Sequence, residues 1–490
     1  MHVFRSPWQR RQPTVTMKGM EQVETDDQAN SDTMPKRRRV VVLTVMMAGT
    51  TAACISQSMM IAALPTIMVQ YGVDATLGQL LTTSYIFMLG LISAMTAFLV
   101  RRVNTKTLFI IAMICFVVGC AAALVAPNYP LLLASRLLQA GGAGICLPLI
   151  QVVALSVYPK SQYGRAMGLV GVIIGFAPAI GPALSGFMID WWGWHSVFVA
   201  LGSIAAAVVV LSFFTLSDVV DHEGDHERFD VVSGLLYTAG FCCVMGGVTV
   251  AESGGGLILS LALLAAGAGA LVVFSVRQLR IESPLLKLSC FRSRTFAVAT
   301  VLVLVAQMAF MAGAIMVPLF VQDVQGRGAA VSGLTILPGA LLLGLLNPVT
   351  GRLLDRHGPR PLVIAGSAVL VVGTLAFVMC DADTPEWAIT VLYGIRTAGV
   401  ACLMMPMTAY GCAALPLEDL AQGTAIITSF RQIFGALTSS GLIAVMAAVS
   451  DSPIGVDAFG FGVSFEVQAA IIVMGFVAGM VFLPRAAKLH

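Results

Sequence analysis

The basic residues of this chain are sorted along its length. It carries 28 Lys and Arg, and between them run long apolar stretches, each near the ~20 residues a helix needs to cross a bilayer. If those stretches are spans, the Lys and Arg fall at the two termini or in alternate loops, with Arg327 as the one exception in the other set. Only Arg136, Arg396 and Arg431 fall inside an apolar stretch. That alternation is the positive-inside bias of membrane proteins. It sets the number of spans, their orientation and the broad class of the protein together.

The apolar stretches fall near 40–66, 77–100, 107–126, 130–153, 165–189, 196–217, 231–251, 256–276, 296–320, 331–350, 361–380, 388–412, 424–449 and 466–484. An even count puts both termini on one side, and the cluster Lys36, Arg37, Arg38 and Arg39 makes that side the cytoplasm of a cell membrane. Arg101, Arg102, Lys106, Lys160, Arg165, Arg277, Lys287, Arg352, Arg356 and Arg360 face the same way. Trp191, Trp192, Trp194 and Trp387 lie at the opposite ends, where an aromatic belt would place them. Composition excludes the alternatives. The chain is 58% hydrophobic and 11% charged, whereas soluble domains carry about 25% charged residues. A net charge of +3 is too small to suggest a nucleic-acid partner. The 10 Cys are scattered without ligand spacing and read as small core residues. No cleavable leader is visible before residue 36, so residues 1–39 are expected to be a disordered basic cytoplasmic tail.

The chain repeats itself. Phe98-Leu99-Val100-Arg101-Arg102 follows the second span, and Gly351-Arg352-Leu353-Leu354-Asp355-Arg356-His357-Gly358 follows the tenth. Arg136 lies in the fourth span and Arg396 in the twelfth. Setting aside spans seven and eight leaves two six-helix halves with matching features at matching places. The expected division is therefore 40–217, a linker at 218–295 holding an added helix pair, and 296–490. Related halves around a midplane site are a common plan for secondary transporters.

The fifth span concentrates bends and close contacts. It reads Gly175-Phe-Ala-Pro178-Ala-Ile-Gly181-Pro182-Ala-Leu-Ser-Gly186. Pro removes a helical hydrogen bond and bends the helix, and Gly admits a neighbouring backbone; generic membrane-helix packing is the alternative reading. Gly181-Pro182-Ala-Leu-Ser-Gly186 resembles the antiporter motif of major facilitator superfamily exporters. Gly351 to Arg360 is similar to that superfamily's cytoplasmic loop signature, and Arg136-Leu-Leu-Gln139-Ala-Gly-Gly142-Ala-Gly144 to its fourth-helix signature. Ala62-Ala63-Leu64-Pro65, Ala421-Gln-Gly423-Thr424 and Arg431-Gln432 resemble the fourteen-helix drug–proton antiporter branch. The resemblance covers roughly residues 40–485. It implies an all-α membrane transporter of two six-helix halves plus a central pair, exporting hydrophobic or amphiphilic compounds by proton antiport with alternating access. It implies coupling or gating roles for Arg136, Gln139, Gly175, Pro178, Gly181, Pro182, Gly186, Asp355, Arg356 and Gly358.

In the loop signature, Asp355 would cap a neighbouring helix or pair with an Arg, and Gly358 would permit a tight turn. A short solvated loop with stop-transfer charges is the alternative. The N-terminal copy departs from the pattern, with Ala97, Arg101 and Asn104 where Gly, Asp and Gly are usual. An Arg buried in a bilayer costs a few kcal/mol or more and normally faces a partner or a wet cavity. For all three embedded arginines a structural role stands beside the functional one. No Asp, Glu or His falls in the middle of a span. The branch usually has an Asp in its first span, and the aligned position here is Ser56. Proton coupling would then fall to carboxylates at span ends, Asp190, Asp230, Glu252 and Asp323, with Asp230 or Asp323 as the hypothesis.

The expected substrate cavity is greasy, with polar contacts from Gln57, Tyr85, Gln307, Gln322, Tyr393, Arg396 and Arg431. Without an embedded acid, neutral or anionic compounds suit it better than strong cations. The competing reading is an importer or exchanger of an organic anion, with Arg136 or Arg396 as counter-charge. No nucleotide loop is present, and His222-Glu223-x-x-His226 lies in an acidic loop rather than on a helix. The chain is therefore expected to be no enzyme, to bind no metal or cofactor, and to work as a monomer in the bilayer with a small-molecule substrate and protons as partners.

Overall fold

The computed structural model describes residues 35–73, 75–216, 230–252, 256–281, 284–449 and 457–482. The tail before residue 35, the loop with His222, Glu223 and His226, and the C-terminal Arg485 and Lys488 lie outside those residues. The described chain is helical: α1 (Lys36–Tyr71), α2 (Ala75–Val100), α3 (Thr105–Leu124), α4 (Tyr129–Val157), α5 (Tyr163–Trp192), α6 (His195–Thr215), α7 (Val231–Glu252), α8 (Leu257–Gln278), α9 (Arg294–Leu319), α10 (Ala329–His357), α11 (Pro359–Val378), α12 (Glu386–Ala413), α13 (Leu420–Val449) and α14 (Ala458–Phe482). Each apolar stretch of the sequence lies on one of these helices. Of them, 12 are by themselves long and apolar enough to cross a membrane, and the bent α5 makes a 13th. The remaining long helix, α13, carries Arg431 among Thr424, Thr428, Ser429 and Gln432.

Helices α1–α6 pack on one another and α9–α14 likewise, giving the two halves. Helices α7 and α8 pair outside them, with α7 touching α2 and α13. The halves meet along α5 and α10 and along α2 and α13. We call the end carrying Arg101, Arg102, Arg165, Arg352, Arg356 and Arg360 the basic end.

Four details differ from the sequence reading. Helix α1 takes in Lys36–Arg39 and runs through Pro65 to Tyr71, ending at Gly72 with φ of 62°. One Pro costs a helix one backbone bond, which long apolar flanks can bear. Helix α10 continues through the loop signature to His357, so the turn is reduced to Gly358, with φ of 78°, followed by Pro359 at the start of α11. Helix α14 begins at Ala458, which puts Glu466 about 12 Å inside it, on an exposed face, rather than at its end. Trp194 is not part of the belt. It is buried and donates to Gln70 Oε1 at 2.6 Å, tying α1 to the α5–α6 turn, while Trp191, Trp192 and Trp387 are exposed.

Candidate functional site: the half–half seam and three buried guanidinium groups

Helices α5 and α10 approach closely because small residues face each other. A Cβ on Gly164 would lie 2.2 Å from the Gly351 carbonyl oxygen, and one on Gly175 would lie 2.3 Å from Gly344 N. Between these points Asn347 Nδ2 donates to the Gly171 carbonyl at 2.9 Å. At the basic end Asp355 accepts the backbone N–H of Gly164 and of Arg165, both at 2.8 Å. These are first-turn donors of α5 with no partner in their own helix, and the positive end of the helix dipole favours the carboxylate. Arg356 is exposed beside it.

Beyond Gly175 the two helices part. Helix α5 bends by 41° between Lys160–Ala177 and Ile180–Trp192, with Pro178 in the bend, and leans on α1. There Ser58 donates to the Ala177 carbonyl at 3.0 Å, and a Cβ on Gly181 would fall 1.9 Å from Ser58 Oγ. Helix α10 turns instead to α12, where a Cβ on Gly339 would lie 2.4 Å from Tyr393 Cδ1. Pro182 is half-buried, and a Cβ on Gly186 or on Gly333 would touch nothing within 4 Å. The close glycine contacts and the hydrogen bonds between α5 and α10 thus lie toward the basic end of the seam.

Arg136 is fully buried on α4. Its Nη1 donates to Ser56 Oγ at 2.8 Å and to Gln139 Oε1 at 2.7 Å, and Nη2 reaches the Ser56 carbonyl at 3.3 Å. The guanidinium stacks 4.2 Å from the centroid of Tyr85, whose hydroxyl donates to the Ala53 carbonyl at 2.8 Å. Arg136 Nε and Gln139 Nε2 have no partner. Arg396 on α12 is equally buried. It donates to Thr374 Oγ1 at 3.3 Å on α11 and to Gln468 Oε1 on α14, with Phe465 5.1 Å away. Arg431 on α13 donates from Nε to Gln307 Oε1 on α9 at 3.1 Å. None of the three forms an ion pair with a carboxylate among the described residues.

The structure thus gathers Tyr85, Gln139 and Arg136 in one network, Tyr393 and Arg396 around Gly313, and Gln307 with Arg431. Gln57 is half-buried and apart from these networks. Gln322 lies in the wide turn Phe320–Val324 after α9, exposed, and donates to Ser332 at 3.1 Å. Asn347, Thr374 and Gln468 were not singled out from the sequence. The signal was a lone polar residue inside an apolar run, which is costly to bury without a partner. Asp230 is committed elsewhere. Arg277 pairs with it at 3.0 Å through both Nε and Nη2, Ser233 donates to it at 2.6 Å, and Arg277 foremost holds its carboxyl down at about 2. Among the described residues no cluster of His, Cys, Asp and Glu is arranged to hold a metal.

Two helical halves meeting along one glycine-rich pair, with polar side chains buried at the seam, define a membrane transporter rather than an enzyme. Residues 46–439 match the family model described as Major Facilitator Superfamily, and the chain belongs to that family. It is 36% identical over 396 residues, 80% of this chain and 74% of the other, to the "Uncharacterized MFS-type transporter YhcA" of Bacillus subtilis (strain 168). It is 31% identical over 399 residues, 80% of this chain and 82% of the other, to the "Lincomycin resistance protein LmrB" of the same organism. Among solved structures it superimposes on the proton:xylose symporter XylE with a TM-score of 0.67 at 11% identity, covering 92% of this chain and 97% of that one. At that identity the likeness shows the fold alone.

Proposed function

We propose that this transporter exports hydrophobic or amphiphilic small molecules from the cytoplasm across the cell membrane, by alternating access of its two halves in exchange for protons. The observation that carries the reading is the asymmetry of the α5–α10 seam. It is closed by Gly164, Gly175, Asn347 and Asp355 at the basic end, whereas past Ala177 α5 bends and leans on α1. The basic side is cytoplasmic by the positive-inside bias, so both termini lie inside and the captured conformation faces outward. Asp355 latches that state. Opening the cytoplasmic side would require releasing two N–H bonds and the glycine contacts. The relative named for lincomycin resistance supports export of a drug-like substrate.

Protons need a titrating group with access to both sides. Arg277 removes Asp230 from that role, and Asp355 serves as a cap. That leaves Asp190, Glu252, Asp323 and Glu466; Asp323 is put first because it is exposed in a single wide turn, a feature that recurs at functional sites. Dye efflux from energised cells, with and without a protonophore, tests the reading. Efflux that collapses with the protonophore and is abolished in Asp323→Asn supports it. Efflux that survives the protonophore sinks proton exchange, and absence of efflux by chain shown to be in the membrane sinks export. The second reading, exchange of an organic anion, is favoured by one observation: among the described residues the buried guanidinium groups form no ion pair with a carboxylate. Saturable uptake of an organic anion, lost in Arg136→Ala, would decide for it.

A further inference from the structure

Helices α2 and α3 both pack along α4 but barely touch each other. Between them lies a cavity of about 490 Å³, floored by Gly141 of α4 and walled by Met88, Ile92, Met95 and Phe98 of α2 and Cys115 of α3. The glycines of α4 explain it. Gly142 is filled by the Ala112 carbonyl of α3, and Gly144 by Ile92 and the Leu89 carbonyl of α2, each within 3 Å of where a Cβ would stand. Gly141 faces neither helix; a Cβ there would meet only Met88 Cε at 4.0 Å. Two glycines bring the walls onto α4 and the third leaves the space between them empty. Ile111, Ile114 and Val118 of α3 and Leu138 of α4 are exposed beside it, so the groove opens onto the lipid-facing surface.

One charge stands at its mouth. Phe98 lines the basic end of the groove, and the exposed Arg102 lays its guanidinium 4.1 Å from the Phe98 ring centroid. An apolar slot continuing into a cation at interfacial depth complements a molecule with an acyl chain and an anionic head. We infer that this groove is a binding site for an anionic phospholipid, with one acyl chain along α4 between α2 and α3 and the phosphate on Arg102. The assignment is independent of what the protein transports. A bound chain would fill the gap between α2 and α3, in the same six-helix half as the bent α5.

The test is native mass spectrometry of the full chain released from vesicles of equal phosphatidylglycerol and phosphatidylethanolamine. Wild-type protein is expected to retain phosphatidylglycerol in preference to phosphatidylethanolamine. Gly141→Leu, which fills the floor, is expected to lose most of the bound lipid of both kinds. Arg102→Gln, a surface change that leaves the groove intact, is expected to keep the lipid and lose the preference. Equal retention of the two lipids by wild type overturns the proposal, as does unchanged phosphatidylglycerol on folded Gly141→Leu or unchanged preference in Arg102→Gln. Displacement of the bound phosphatidylglycerol by a membrane-soluble dye would assign the groove to such compounds and overturn it too.

Discussion

Each half buries one arginine on its fourth helix, and the two are held differently. Arg136 reaches inward to the first helix of its half, where Ser56 offers both a hydroxyl and a carbonyl. Arg396 has Gly313 against it on its own first helix, where a Cβ would fall 2.1 Å from Nη1. It turns outward instead, to Thr374 of α11 and Gln468 of α14. The same residue type at the same ordinal place therefore does two jobs. Arg396 ties three helices of one half together. Arg136 ties α4 to α1, the helix on which the bent half of α5 leans, and keeps an Nε without a partner. Internal repetition of sequence does not guarantee repetition of role, because the partner residues differ.

The sharpest way to break this contrast is to remove each arginine in turn. Arg396→Ala should leave Gln468 and Thr374 buried without their donor and cost roughly 2–4 kcal/mol, seen as little protein in the membrane fraction. Arg136→Ala should leave folded protein and lower transport by about tenfold or more, a barrier change of at least ~1.4 kcal/mol. Equal loss of protein in both variants would erase the distinction. Gly313→Ala should follow Arg396, since the added methyl collides with the guanidinium; overpacking of this kind costs roughly 1–3 kcal/mol, read as a lower melting temperature with transport per folded molecule unchanged. Ser56→Ala removes one of three bonds to Arg136 and should cost about 1 kcal/mol while changing transport kinetics.

Asp355→Asn weakens the cap on α5 by about 1 kcal/mol. It should raise thiol labelling of a Cys placed at Lys160, reporting an opened basic end. The smallest effect is expected outside both halves. Arg277 holds the Asp230 carboxyl at about 2, below the ~3.9 of an unfolded Asp. Its contribution to stability is therefore fully present above pH ~4 and is lost as pH falls toward 2. Wild type and Asp230→Asn should differ slightly and constantly in melting temperature from pH 5 to 8 and converge only below pH 4.

The spans were legible because membrane insertion is written in local sequence: apolar length, flanking charge and their alternation. Helix ends were less so. Nothing local to Glu466 says that α14 begins at Ala458, and nothing in Gly351–His357 forbids helix, so the loop signature read as a loop. The seam was half legible. Gly175, Pro178 and Gly181 announce a helix built for close contact and bending, but that Gly175 meets Gly344 while Gly181 meets Ser58 depends on how two helices far apart in the chain are set side by side. Gln322 shows the limit, since a polar residue near a span end looks the same whether it faces the cavity or, as here, the turn outside it.

By itself the sequence determined that the chain crosses a membrane many times, that its basic loops share one side, and that it is built from two related halves with an added pair. Those properties follow from hydrophobic transfer and charge placement, which act residue by residue. The tertiary structure decided which helices touch, which end of the seam is closed, and what each buried arginine holds. Those are set by shape and hydrogen-bond geometry between segments that only packing brings together.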